Sequence, residues 1–464
     1  MSPALLDRKF IWHPFTQMRD WLKREPIVIV EGKGAVLRDA KGDEYLDGNS
    51  SIWTNLHGHR HPKINAAIRR QLGKIAHSSA LGLANVPASF LAEKLIRAAN
   101  SGPAQNAARK LRRVFFSDDG STAIEAALKM AHQFACRTRP GKEPKFLAVS
   151  GAYHGDTIGA VSLGHIDLFH RAYGGLLFKS DSVPSPYCYR CPFNRAKPER
   201  ADAREYRRCH WECTGLVERK FSARKKKGNA YAAFIVEPLM QGSAGMIAHP
   251  KGWLHRAAAI ARSHGALLIA DEVMTGFGRS GSLFACHQES VQPDLIALAK
   301  GMTGGYLPMA ATLTTQRIFD AFLGRYDEFK TFYHGHSYTA NQLGAAAALA
   351  SLELLQSARS TAARRILEKT LRVELESLWS LPAVGDIRQV GLMAGVELVK
   401  NWKTRERFAA RERVGMRVCE AMARRGVLTR PVGDVIVLMP PYCTTPAQAR
   451  RTVAALREAV AEVC

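Results

Sequence analysis

Through the middle of the chain, short apolar runs alternate with stretches whose apolar positions recur every three to four residues. RRVFFS (112–117), KFLAVS (145–150), AAFIVEPL (232–239) and ALLIADEV (266–273) have strand length and predict strands. STAIEAALKMAHQFA (121–135) follows the first with helical spacing, and GWLHRAAAIARSHG (252–265) lies between the last two. This strand-then-helix rhythm predicts a mainly parallel sheet with helices on its faces. Ligands of such sheets sit beyond the carboxyl ends of the strands.

The two ends of the chain have a different texture. Residues 27–47 predict short strands with turns at Gly32-Lys33-Gly34 and Lys41-Gly42-Asp43. From about residue 360, long arginine-rich helices alternate with short strands such as GLMAGVEL (391–398) and VIVLMPP (435–441). The expectation is an α/β protein with a large central domain over 76–355 and a small α+β domain built from both termini, 1–75 and 356–464. Residues 183–229 are rich in Pro, Cys, Arg and Lys and predict an irregular insertion in the large domain.

Length and composition support this division. A chain of 464 residues exceeds one simple core, and 46% hydrophobic with 23% charged residues is ordinary for a globular protein. No apolar run is long enough to cross a bilayer, and MSPALLDRKFIWHPF lacks the apolar segment of a secretory signal. A cytoplasmic protein without membrane partners is expected. The net charge of +25 invites a nucleic-acid reading, but the basic residues are spread along the chain. The densest cluster, Arg224-Lys225-Lys226-Lys227, has no interleaved aromatics. A solvated basic surface, suited to anionic ligands, is the expectation, with no nucleic-acid partner.

Four segments carry candidate chemistry. LLIADEVMTGFGRSG (267–281) ends an apolar strand in two acids, Asp271 and Glu272, before a glycine-rich turn. A carboxylate there either caps the turn or serves a buried partner. DLIALAKGMTGGYLP (294–308) places Lys300 after an apolar run and before a glycine cluster. Lysine is seldom buried, and desolvation lowers its pKa and frees a nucleophilic amine. The separation of 29 positions from Asp271 to Lys300 leaves room for one crossover between neighbouring strands. FFSDDGSTAIEAALKMA (115–131) runs a strand into Gly120-Ser121-Thr122 at a helix start, which reads as a simple cap or as an anion site. SGAYHGDTIGA (150–160) sets Tyr153 and His154 on a glycine-bounded turn, where a ring either joins the core or stacks on a planar ligand. An amine nucleophile, an acid, an anion cradle and a stacking ring together match what a pyridoxal phosphate site requires.

On these segments the chain resembles the class III (omega) aminotransferases of pyridoxal-phosphate fold type I, over nearly its full length. IWHPFTQM (11–18), DGNSSIWTNLHGHRHP (47–62), AYHGDTIGAVSLG (152–164), FYHGHSYTANQLG (332–344) and TRPVGDVIVLMPPY (429–442) are similar to the biotin-pathway branch of that family. The resemblance implies a transaminase that aminates 8-amino-7-oxononanoate to 7,8-diaminononanoate; the alternative is a family member acting on a diamine or an omega-amino acid. It further implies that Lys300 anchors pyridoxal 5'-phosphate and moves the proton, and that Asp271 holds the pyridine nitrogen. Gly120 and Ser121 bind the phosphate, completed by His336 and Ser337 from the partner subunit of a homodimer. Tyr153 stacks on the ring and touches substrate, and Trp53, Gly335 and Arg430 line the substrate channel, Arg430 taking the far carboxylate. The partners are then a small keto acid and an amino donor. Three positions depart from the common family pattern: Phe15 for Tyr, Ile52-Trp53 for two tryptophans, and His336-Ser337 for Pro-Thr. Phe15 lacks the hydroxyl of a donor site for S-adenosylmethionine, and this favours L-lysine over that donor.

Nine cysteines are scattered through the chain, an odd number that argues against a disulfide framework. Four of them, Cys188, Cys191, Cys209 and Cys213, lie in YCYRCPFNRAKPERADAREYRRCHWEC (187–213), with His210 alongside. The spacing matches structural zinc ligation, and free thiols on a surface loop are the alternative.

Overall fold

The computed structural model describes residues 1–104 and 106–464. Its largest sheet aligns seven strands in the spatial order β4 (Leu111–Ser117), β12 (Ala310–Thr315), β11 (Leu295–Leu298), β10 (Leu267–Asp271), β7 (Tyr231–Val236), β5 (Lys145–Val149) and β6 (Asp181–Val183). The run from β11 to β6 is parallel, and β12 is antiparallel to both of its neighbours. Every residue of β7, β10 and β11 is buried, because helices cover both faces, and their sequences are therefore continuously apolar rather than alternating. The helix Gly120–Thr138 lies close on this sheet through Ala123, Ala126, Ala127 and Ala131, small residues that let the two backbones approach.

Segments from both ends of the chain share one of the smaller sheets. β1 (Ile29–Lys33), β2 (Val36–Asp39) and β3 (Glu44–Asp47) form an antiparallel meander, and β15 (Val427–Leu428) joins β3 in parallel. β13 (Val384–Val390), β14 (Met393–Leu398), β17 (Val435–Leu438) and β16 (Pro431–Val432) form an antiparallel sheet with its own core, which includes Val396, Ile436 and Leu456. The strands β8 (Met240–Gln241) and β9 (Ile247–Ala248) make a short hairpin after β7. Among the described residues, no helix is long and apolar enough to cross a membrane.

The insertion at 183–229 is less irregular than its composition predicts. Glu212–Lys226 is a helix that sinks Val217 and Phe221, four residues apart, into the main core. The zinc expectation is corrected. Cys188, Cys191, Cys209 and Cys213 are free thiols, and no group of three or more metal-binding side chains is assembled among the described residues. Burial pushes the Cys188 thiol up to about 12 and that of Cys213 to about 11. Arginines fasten the segment instead. Arg190 pairs with Glu397 at 2.6 Å, and Arg204 donates to the Gln389 carbonyl at 2.8 Å. Glu397 is in turn held by Arg388, which also pairs with Asp386 at 2.7 Å.

Candidate active site

A cavity of about 730 Å³ opens at the carboxyl edge of the main sheet, the size of a small-ligand site. Strand register dictates which side chains meet there. Asp271 ends β10 and stands opposite Ala297 of β11, so Lys300, three residues further on, reaches the same edge. The crossover expected from their spacing is thus present between adjacent parallel strands.

Lys300 has φ +43°, a left-handed conformation that L side chains rarely adopt and that costs about 1–3 kcal/mol. Burial lowers the pKa of its amine, while the charges of Asp271 and Glu237 oppose the shift. Its Nζ lies 4.9 Å from the centre of the Trp53 ring. Trp53 is delivered by a further backbone anomaly. Ser50, Ser51, Ile52 and Trp53 all have positive φ, making one turn of left-handed helix. The turn is pinned by Ser50 Oγ donating to the Met439 carbonyl at 2.7 Å and by Asp47, which accepts from Ser51 N and Oγ, each at 3.0 Å. Backbone strain is thus concentrated at one wall of the cavity and held by a dedicated set of hydrogen bonds.

Asp271 is almost fully buried, and its two oxygens have distinct partners. Oδ2 accepts from His154 Nδ1 at 2.7 Å, and Oδ1 accepts from Val273 N at 3.0 Å. Tyr153 stands on the same turn as His154. Its hydroxyl donates to Asp156 at 2.6 Å, and its backbone N–H donates to Glu237 at 3.2 Å.

The helix beginning at Gly120 is capped by Asp119, whose side chain accepts Thr122 N at 2.9 Å. The cap does not engage the N–H groups of Gly120 and Ser121, which stand at the positive end of the helix dipole. A Cβ at Gly120 would sit 2.6 Å from Val273, and one at Gly155 would sit 2.4 Å from Ser121. Glycine is required at both positions for the two loops to close around the helix start. Ser121 Oγ accepts Thr157 N at 3.0 Å, which fixes the hydroxyl beside the cradle.

The cavity therefore gathers Lys300, Asp271, Tyr153, Gly120, Ser121 and Trp53. It does not gather Gly335, His336, Ser337 or Arg430. Gly335 and Ser337 are exposed on a turn that His77 binds through the Ser337 carbonyl at 2.8 Å. Arg430 lies in a separate groove and donates to the Phe15 carbonyl at 3.1 Å, and the Phe15 ring in turn packs edge-on to Tyr153. Two features of the site escape sequence reasoning: the His154–Asp271 hydrogen bond and the lining residue Glu237. The second had a signal, since FIVEP ends an apolar strand in an acid just as LLIADE does.

The family model described as "Aminotransferase class-III" matches residues 18–460. The adenosylmethionine-8-amino-7-oxononanoate aminotransferase of Nitratidesulfovibrio vulgaris is 49% identical over 99% of this chain and 81% of its own length. The protein of the same name from Geobacter sulfurreducens is 47% identical, with 95% and 93% covered. The crystal structure of that aminotransferase from Methanocaldococcus jannaschii superposes with a TM-score of 0.89 at 38% identity, covering 99% of this chain and 98% of the other. An amine transaminase from an uncultivated Pseudomonas species, solved in its PLP-bound form, gives a TM-score of 0.88 at 33% identity, with 98% and 99% covered. The chain belongs to the class-III aminotransferase family.

Proposed function

We propose that this protein is a pyridoxal-phosphate-dependent transaminase that converts 8-amino-7-oxononanoate into 7,8-diaminononanoate in biotin biosynthesis. The observation that carries the reading is the desolvated Lys300 amine just beyond the strand that pairs with that of Asp271, with Asp271 itself held by His154. The relatives named above bear that keto acid in their names and align along almost the whole chain.

The residues fit the cofactor by chemistry and shape. Lys300 supplies the amine that holds it, and Asp271 offers a carboxylate to a protonated ring nitrogen. Gly120 and Ser121 offer N–H groups to a phosphate in a cradle that added Cβ atoms would fill. Tyr153 supplies a ring to cover its plane. When bound, pyridoxal phosphate acts as an electron sink for the carbon that gains or loses the amine. The chain's part is to keep that sink protonated through Asp271 and to move a proton through the Lys300 Nζ. His154 holds Asp271 in place through Nδ1, and Trp53 closes the wall beside Lys300. Turnover of 8-amino-7-oxononanoate by the holoenzyme tests the assignment.

The homodimer belongs to the same proposal. Segments 77–90 and 333–340 are joined by hydrogen bonds from His77 to the Ser337 carbonyl and from Asn85 to the Ala340 carbonyl. Together they expose Leu81, Leu83, Val86 and Tyr338, an apolar patch of the kind that another chain covers. Among the described residues the buried His336 Nε2 has no hydrogen-bond partner. In the proposed dimer His336 and Ser337 complete the phosphate cradle of the neighbouring site, and Gly335 lies at the neighbour's channel. Light scattering of the holoenzyme should give twice the chain mass, and a fully active monomer would refute the shared cradle.

Arg430 and Phe15 bear on the substrates. The Arg430 guanidinium suits the far carboxylate of the nonanoate, and it donates to the carbonyl of Phe15, whose ring packs against the cavity-lining Tyr153. The amine comes from S-adenosylmethionine, as in the relatives' names, or from L-lysine. Phe15 offers neither donor a hydroxyl. Phe15→Tyr should therefore raise the rate with S-adenosylmethionine relative to L-lysine by about tenfold, the worth of one hydrogen bond to a polar ligand. Single-turnover conversion of the yellow enzyme by each donor measures this. An unchanged ratio would remove residue 15 from donor choice.

A further inference from the structure

Glu237 has no task in the chemistry set out above, yet it is built into the wall of the same cavity. It follows the last residue of β7, whose Val236 pairs with Ala270, so it stands level with Asp271 on the adjacent strand. Its side chain is buried, with 7% of the residue exposed. One oxygen accepts Tyr153 N at 3.2 Å and the other accepts Gly242 N at 2.9 Å. These backbone bonds aim the carboxylate and leave lone pairs on both oxygens. Among the described residues no arginine, lysine or histidine hydrogen-bonds to it. Burial raises its carboxyl to about 7, with His154 acting against the shift and Asp271 adding to it.

A buried carboxylate without a cation is costly to keep, and a site that keeps one is prepared for a cationic ligand. Three of the other acids lining this cavity have hydrogen-bond partners, while Asp118 Oδ1 is buried without one among the described residues. Asp271 is bound by His154 and Val273, Asp156 takes the Tyr153 hydroxyl, and Asp119 caps the helix. Asp118 sits at the helix-start end, where the anion cradle lies. We infer that Glu237 is a specificity-determining residue that receives an ammonium group borne on the carbon next to the reacting carbonyl. This rests on the proposed function. In 8-amino-7-oxononanoate the carbon that bears the amine is bonded directly to the C7 ketone, so the proposed pose, with C7 at the Lys300 end of the cavity, sets the ammonium against this wall. The carboxylate thereby distinguishes an amino ketone from a plain ketone of equal length.

The test uses the full-length enzyme in its pyridoxamine phosphate form, which transaminates neither of two probes, nonanoate and 8-aminononanoate. Calorimetry gives the ratio of their dissociation constants. Wild type should bind the aminated probe at least about tenfold more tightly, the range of a charge-assisted hydrogen bond. Glu237→Gln should bring the ratio close to one while leaving the affinity for nonanoate unchanged. Glu237→Ala, which leaves room for water on both backbone donors, should do the same, and agreement between the two variants separates loss of charge from a displaced loop. A preference that survives in both variants, or that is absent from wild type, overturns the inference. The proposed function fails on a different readout, wild-type turnover of 8-amino-7-oxononanoate.

Discussion

Lys300→Ala is expected to abolish turnover, by at least about a thousandfold, while the protein stays folded. In the proposed function the side chain supplies both the covalent hold on the cofactor and the proton carrier, so one truncation removes two functions. The fold has little stake in it. Lys300 follows rather than forms β11, and the neighbouring packing is made by Leu298, Ala299 and Met302. Alanine tolerates the positive φ no worse than lysine does. Borohydride reduction of the wild type should fix the cofactor covalently to a peptide containing Lys300, with no such label in the variant. A covalent label at another lysine would remove Lys300 from this role.

Asp271→Asn should keep the cofactor but lower the single-turnover rate by about a hundredfold. An amide is isosteric and can still meet His154 and the Val273 N–H. It cannot hold a proton on the ring nitrogen by charge, and losing a charge-assisted hydrogen bond in a buried site is worth about 1.5–3 kcal/mol. A visible spectrum retained alongside the slower half-reaction is the expected signature. An unchanged rate would show that another group keeps the nitrogen protonated.

Much of this site was legible because it sits where strands end. A parallel strand buried on both faces is continuously apolar, so an acid or lysine at its carboxyl end interrupts the pattern visibly, as Asp271 and Lys300 do. The same logic applied to FIVEP exposes Glu237, which the cofactor inventory had no place for. β12 was harder to see. Its sequence, AATLTT, carries threonines that are buried, with the Thr312 hydroxyl donating to the Ala123 carbonyl at 2.7 Å, and polar residues satisfied in this way do not read as core. The left-handed turn at Ser50–Trp53 has no sequence signal either. Nothing in SSIW asks for positive φ, and the conformation is imposed by contacts with Asp47 and Met439, the latter nearly four hundred residues away. The cysteine spacing misled for the opposite reason. A metal site needs its ligands to converge, and here arginine–carboxylate pairs determine the path of the insertion.

The central claim is that the Lys300–Asp271 site transfers an amino group to the C7 ketone of 8-amino-7-oxononanoate. The most direct measurement supplies the yellow holoenzyme with that keto acid and, in parallel, with S-adenosylmethionine or L-lysine, and follows the products by mass spectrometry. The account predicts that 7,8-diaminononanoate forms with at least one donor, and that none forms with Lys300→Ala. Conversion of an omega-amino acid or a simple diamine, with 8-amino-7-oxononanoate left untouched under every donor, would contradict it.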